Sequence, residues 1–465
     1  MQEKTSFPET DICFIRRVLL VLFIGTFFFR VATGTSSLLD EVVIWKVFEA
    51  EGFAYTTIVL LIVIYGMSFS FIEGMIAGST GFAVDVVGPK KIIVFAGIMS
   101  GISMLVYWFA KFMFYLFGPY VFYATLLLAQ LIEGITSSLK VTPTAAIIAR
   151  YSEYESRAFR MGLWDSILMF GRIIGTGLAG LFYGIFAKKH PVDGLDGFLI
   201  IAAISFLVAI IYYVWLPDIP PEKDFEGSVV KEALRHFGEG ARVMFSGIRR
   251  DLGATWLSMS ALWGLAFTLG PIIILTALGA SGEATGYITA VIIGVLALPA
   301  PLWGYVADKI GRKPVAIIGI TGLVLSVVLG AVAYLYLHLP TSDVRFYLVI
   351  SPGIFCISAI TPSFLGRLAD TALPGERGLT MSGYQFVTSI GEITGVITGG
   401  IFWIIFSYYL TPFFQERFPG WQPDWTGALG VAIAGLMFFL LTLFFGYRLR
   451  SDEEVMRMLQ EMGEK

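Results

Sequence analysis

The sequence predicts an all-α membrane protein whose twelve transmembrane helices form two pseudo-symmetric six-helix bundles. Three observations predict it: composition, the length of the apolar blocks, and an internal repeat. Of 465 residues, 56% are hydrophobic and 14% charged, with 40 Phe and a mean hydropathy of +0.78. A soluble chain carries about a quarter charged residues. The apolar residues gather in blocks of about 20 or more, the length that crosses about 30 Å of hydrocarbon at about 1.5 Å per helical residue. A closed β-barrel would show shorter blocks alternating apolar and polar, and none runs through this chain.

Helix one is expected at 16–39, after the polar segment Met1 to Asp11 and Arg16-Arg17. It is too long for a signal peptide and lacks a small-residue cleavage site. Helices two to six are expected at 53–79, 91–112, 119–149, 160–187 and 195–216. Helices seven to twelve follow at 252–277, 284–306, 313–337, 345–369, 379–408 and 426–448. An even number puts both termini on one side. Arg16, Arg17, Lys90, Lys91, Arg150, Arg157, Arg160, Lys309, Arg312, Lys313, Arg367, Arg377, Arg448 and Arg450 fall on that side. Only Lys46, Lys111, Lys188, Lys189, Arg345 and Arg417 fall opposite. The excess of cations marks the cytoplasmic face, so both termini are expected there, in an inner or plasma membrane.

The organisation expected is a first bundle over 1–216, a linker over 217–251, a second bundle over 252–450 and a tail over 451–465. Pro217, Pro220 and Pro221 open the linker as an extended stretch. Val230, Leu234, Phe237, Val243 and Phe245, interleaved with cations, predict a helix over 228–250 lying in the cytoplasmic interface. A solvated linker helix is the alternative.

The bundles are related by sequence. Gly81-Phe-Ala-Val-Asp85-Val-Val-Gly88-Pro-Lys90 matches Gly304-Tyr-Val-Ala-Asp308-Lys-Ile-Gly311-Arg-Lys313 at an offset of 223. Thr142-Pro143-Thr144 matches Thr361-Pro362-Ser363 at 219, and Arg157, Met161, Gly171, Gly175 and Gly180 match Arg377, Met381, Gly391, Gly395 and Gly400 at 220. Such slippage is what loop-length changes produce, so the halves are parallel repeats.

The repeated G-x-x-x-D-x-x-G-[PR]-K loop, between helices two and three and again between eight and nine, resembles the signature loop of the major facilitator superfamily. The resemblance covers about 430 residues and implies the fold of that superfamily and secondary transport by it. Gly81 and Gly304 permit close packing or a turn. Asp85 and Asp308 are expected where the next helices begin, or where helices eleven and five present N-terminal ends that favour negative charge. By resemblance these acids belong to a cytoplasmic gate with Gly88, Gly311, Arg312, Arg157 or Arg160, and Arg377. The departure is Pro89 where a base is usual, which implies a weaker first loop. The glycine ladders Gly171, Gly175, Gly177, Gly180 and Gly391, Gly395, Gly399, Gly400 resemble the helix-five motif of proton-driven drug exporters, with Thr176 and Val396 in place of its proline. Plain helix packing, small residues on one face admitting a neighbouring backbone, explains them without any role in efflux.

A charge at bilayer depth costs about 3 kcal/mol or more and points to function. The deep charges are Arg30, Glu73, Glu133, Lys140, Arg172 and Glu392. Counted from the cytoplasmic helix ends, Arg30 and Glu133 lie at matching depth, about 21 and 24 Å in, and are expected to pair. Protonation of Glu133 would then release Arg30. Lys140, seven residues on and so on the same face, is expected to bind an anionic group or pair with Glu73. Arg172 and Glu392 occupy one repeat position. Trp256, Trp263, Phe267, Trp303, Phe355 and Phe364 are expected to give the cavity an aromatic wall from the second half.

Cys13 and Cys356 are far apart and the three His lack ligand spacing, so neither disulfide nor metal is expected. There is no P-loop and no spaced nucleophile, base and orienting acid, so no enzyme and no cofactor is expected. The expected partners are a small-molecule substrate, protons and the lipid bilayer; the chain is expected as a monomer with no nucleic-acid partner. Two directions stay open: efflux of an amphiphilic solute coupled to protons, or proton-coupled uptake of an organic anion. An uncoupled uniporter is the further alternative.

Overall fold

The computed structural model describes residues 12–277, 279, 281–338, 344–418 and 420–463. The polar segment Met1 to Asp11 lies outside them. Among the described residues there is no strand, and twelve helices are long and apolar enough to cross a membrane. These are α1 (Ile12–Ala50), α2 (Tyr55–Val87), α3 (Pro89–Phe117), α4 (Pro119–Arg150), α5 (Tyr154–Phe186) and α6 (Pro191–Trp215) in the first half. The second half holds α7 (Gly247–Thr276), α8 (Glu283–Ile310), α9 (Arg312–Ala331), α10 (Leu348–Asp370), α11 (Arg377–Tyr409) and α12 (Pro423–Gly446). A tail helix, α13, spans Asp452–Gly463.

Helix α1 runs eleven residues past its expected end at 39, to Ala50. Asp40 and Glu41 end the apolar block in the sequence, yet both are buried, so tertiary partners carry the helix through them. In α7 the turn Leu265–Leu269 is π-helical, just before Gly270-Pro271. Proline has no amide to give and its ring crowds the carbonyl four residues back, so the helix widens there.

The signature loops are single residues. Gly88 ends α2 and starts α3 at φ 91°, with Pro89 as first helical residue, and Gly311 joins α8 to α9 at φ 102°. Side chains rarely adopt such angles, which accounts for a glycine at each.

The halves meet along two seams, α2 against α11 and α5 against α8. A Cβ on Gly81 would lie 2.6 Å from the Gly378 carbonyl, and one on Gly304 would lie 2.4 Å from that of Ala158. Only glycine permits these approaches. The ladders work likewise: Gly171 and Gly175 abut α1, Gly391 and Gly395 abut α7, Gly180 faces α8, and Gly400 faces α2.

The linker differs from the single interfacial helix expected over 228–250. It holds two short helices, Val229–Arg235 and Gly240–Met244, parted by Gly238 at φ 77°. The Gly238 amide bonds the Met75 carbonyl at 3.2 Å, and Gly240 abuts Phe386, which turns the chain under both halves. Val230, Leu234, Phe237 and Phe245 stay exposed, whereas Met244 is buried.

Candidate functional site

A central cavity of about 160 Å³ lies between the halves. The first half lines it with Arg30 and Glu41 from α1, Glu73 from α2, Glu133 from α4, and Asp165 and Arg172 from α5. The second half contributes Trp256, Trp263 and Phe267 from α7, Thr361 from α10, and Tyr384 and Glu392 from α11. Five carboxyls thus face two guanidiniums, an excess of three negative charges when all are ionised.

Two glutamates bridge the α2/α11 seam. Ser70 donates to Glu392 Oε2 at 2.8 Å, and Ser389 donates to Glu73 Oε2 at 2.9 Å. Each helix carries Ser-x-x-Glu at a spacing of one helical turn, and antiparallel packing sets each serine against the other glutamate. The corresponding positions on the α5/α8 seam are Met169, Arg172, Ile293 and Leu296, so the clasp has no counterpart there.

Several sequence expectations change. Arg30 and Glu133 line one cavity but form no ion pair within 4.0 Å. Glu133 is held by Ser36 and the Tyr107 hydroxyl, both at 2.7 Å, while Arg30 Nε has no hydrogen-bond partner. Glu133 meets α1 at Ser36, six residues beyond Arg30. Lys140 pairs with neither Glu73 nor the cavity. Its Nζ sits 3.6 Å over the Phe29 ring and 3.4 Å from the Gly25 carbonyl, with Tyr212 at 5.2 Å closing the far side. Such a box satisfies a buried ammonium through ring faces. Phe355 is 40% exposed and Trp303 donates to its carbonyl at 2.8 Å, so both lie away from the cavity. Thr361 is the α10 residue that lines it; six residues at about 100° each put Phe355 on another face. Phe364 packs behind Trp256 at 5.4 Å.

Arg172 lies 3.8 Å over the Phe267 ring, which is itself stacked on Trp263. Its Nε has no hydrogen-bond partner. Glu41 and Asp165 are cavity residues that the sequence does not single out: Glu41 lies past the expected end of helix one, and Asp165 lies in helix five outside the repeated motifs. The repeated Ser-x-x-Glu was the available signal for the clasp.

At the loop end, each signature acid caps a helix of the opposite half. Asp85 accepts from the amides of Gly378 and Leu379 at 2.8 and 3.2 Å, and Asp308 from those of Ala158 and Phe159 at 3.0 and 2.8 Å. These orphan amides and the helix dipole both favour a carboxylate. Asp370 joins Arg157 at 2.9 Å and Arg312 at 3.1 Å, while Arg312 also holds Asp308 at 2.5 Å. Arg377 pairs with Glu222 of the linker at 2.9 Å. Arg160 bonds the Tyr151 carbonyl and joins neither acid.

Twelve membrane-crossing helices in two repeated halves around one polar cavity define the architecture of a secondary transporter. The family profile of the Major Facilitator Superfamily matches residues 18–252 and 251–457, and the chain belongs to that superfamily, whose members are transporters and not enzymes. No curated protein matches the sequence. Among solved structures, the human organic anion transporter MFSD10 (TETRAN) is similar at TM-score 0.64 and 18% identity, covering 94% of this chain and 99% of its own. The proton:xylose symporter XylE, bound to 6-bromo-6-deoxy-D-glucose, is similar at TM-score 0.65 and 14% identity, covering 96% and 99%. A partially occluded inward-open XylE from E. coli matches at 0.65 and 13%, covering 95% and 99%. At these identities the likeness concerns the fold.

Proposed function

We propose that the chain is a proton-coupled transporter that moves an amphiphilic organic solute by alternating access of the cavity, with the signature loops as its cytoplasmic gate. The observation that supports this most is the pair of cavity glutamates, Glu73 and Glu392, bonded across the α2/α11 seam. A hydrogen bond to an ionised carboxylate is about twice as strong as a neutral one. Protonation, or capture of a cation by either carboxyl, therefore weakens a bond between the halves, linking occupancy of the cavity to rocking.

The carboxyl excess and the aromatic wall favour a cationic, apolar-bodied solute. Carboxylates sealed from water without counter-ions take up protons or another cation, so solute and protons compete, and exchange against an inward proton gradient drives efflux. A second reading, proton-coupled uptake of an organic anion, draws support from Arg30 Nε and Arg172 Nε, both without hydrogen-bond partners.

Flux in proteoliposomes under an imposed pH gradient tests this, using tetraphenylphosphonium as aromatic cation and an aromatic carboxylate as anion. Gradient-driven flux of the cation, lost in Glu133→Gln and in Glu392→Gln, is expected. Gradient-driven flux of the carboxylate alone selects the second reading. Facilitated flux that ignores the gradient in the parent, and persists in both variants, reduces the protein to a uniporter.

A further inference from the structure

A chain of buried polar groups crosses the first half beside the cavity and is used by none of the contacts between the halves. Asp40 Oδ2 of α1 accepts from the Tyr65 hydroxyl of α2 at 2.5 Å. That hydroxyl lies 3.5 Å from the hydroxyl of Tyr107 on α3, which donates to Glu133 Oε2 of α4 at 2.7 Å. Gln130 Oε1, one turn from Glu133, is the alternative acceptor for the single Tyr107 hydroxyl proton. Asp40, Tyr65 and Tyr107 are fully buried, and Glu133 is 1% exposed.

Phenylalanine would fill both ring positions without the cost of burying a hydroxyl, about 1–3 kcal/mol each when unpaired. Tyr65 and Tyr107 belong to one apolar cluster with Val43, Met104, Leu126 and Ala129, so four buried polar side chains from four helices are costly here unless connected. Their order is that of a relay: carboxyl, phenol, phenol, carboxyl. One end, Glu133, faces the cavity. The other, Asp40, lies outside the cavity lining, and its Oδ1 has no hydrogen-bond partner.

We propose that Asp40, Tyr65, Tyr107 and Glu133 form a proton-transfer chain that loads and unloads Glu133 from behind, without the proton crossing the space a solute occupies. A proton on Asp40 Oδ2 passes to the Tyr65 oxygen as the Tyr65 proton passes to the Tyr107 oxygen and the Tyr107 proton passes to Glu133 Oε2. Both phenols end neutral, Asp40 has lost one proton, and Glu133 has gained one. The reverse sequence empties Glu133. Asp40 adjoins Glu41, whose charged neighbour is Arg172, whereas Glu133 lines the cavity together with Arg30 and Glu73, so the two ends of the chain have different surroundings.

The proposal deepens the proton-coupled reading of the same site, and its test requires no solute. Glu133 protonation is followed by its carboxyl infrared band after a pH jump, in the full-length protein reconstituted in lipid, with Glu133→Gln identifying the band. In Tyr65→Phe, Tyr107→Phe and Asp40→Asn the Glu133 band is expected to rise at least about tenfold more slowly, the effect of roughly one decade in a proton-transfer barrier. The Glu392 band, identified with Glu392→Gln, is expected to keep its parent rate. Should one variant fail to fold, the others interrupt the same chain at different links. Parent rates at Glu133 in the folded variants overturn the chain, as does equal slowing at Glu392. Failure of the coupling reading shows separately, as gradient-independent flux in proteoliposomes.

Discussion

At the second signature loop, the acid between the arginines comes from a bundle helix: α10 ends on Asp370, which holds Arg157 of α5 and Arg312 of α9, while Asp452 of the tail takes the Lys313 amide and Arg367. At the first loop the corresponding corner is inverted. There α4 ends on Arg150, Pro89 stands where Arg312 stands in the repeat, and Arg377 still needs an acid. The linker supplies it: Glu222 accepts from Arg377 at 2.9 Å and from the Gly375 amide at 2.7 Å, with Arg150 at 3.8 Å. The backbone contacts of Asp85 and Asp308 are alike in both loops. Duplication thus preserved the capping carboxylates and left the surrounding charges free to change, provided each arginine kept a partner.

The comparison can be broken most severely at the second loop. Asp370→Ala removes the acid shared by two guanidiniums: Arg157 loses its carboxylate, and Arg312, with a side chain only 3% exposed, keeps Asp308 alone. Removing one partner of a buried pair costs about 3–5 kcal/mol, to be seen as a lowered unfolding midpoint of the purified protein. Glu222→Ala is expected to cost less, about 1–3 kcal/mol, because Arg377 remains partly hydrated. Its readout is faster labelling of a cysteine placed at Ser382, which packs against Gly81 at the seam. Pro89→Arg alone should change stability by no more than about 0.5–1 kcal/mol, as a partly exposed pair does. Combined with Arg150→Asp in the Glu222→Ala background, it recreates the second loop's arrangement, and slow labelling at Ser382 should return.

Much of the fold was legible because the bilayer imposes block length and the repeat imposes symmetry. The candidate site was legible in part. Arg30, Glu73, Glu133, Arg172 and Glu392 do share one cavity, since burying a charge in a spanning helix demands polar company. Lys140 shows the limit. It lies about two turns from Glu133 and on the same face, but Phe29 and Tyr212 seal that face at its depth, where higher up it borders the cavity. Periodicity relates residues along one helix and says nothing of which neighbour closes over them. Phe355 differs: it lies on another face of α10 from Thr361, the residue that lines the cavity. Glu222 lies in a polar segment without periodicity, and only the fold brings it against Arg377 and the Gly375 amide.

The linker's first residues are stitched to the end of α2: the amides of Glu222 and Lys223 both donate to the Asp85 carbonyl, at 2.8 and 2.9 Å. From Lys223 to Ser228 the chain is exposed. The polypeptide therefore has a natural place to be divided. Two separately translated pieces, parted after Gly227, would leave Glu222 riding with the first half and Arg377 with the second, so that each fragment carries a charge the other lacks. Parted before Pro217 instead, the first fragment would reach the membrane without the acid its own corner requires.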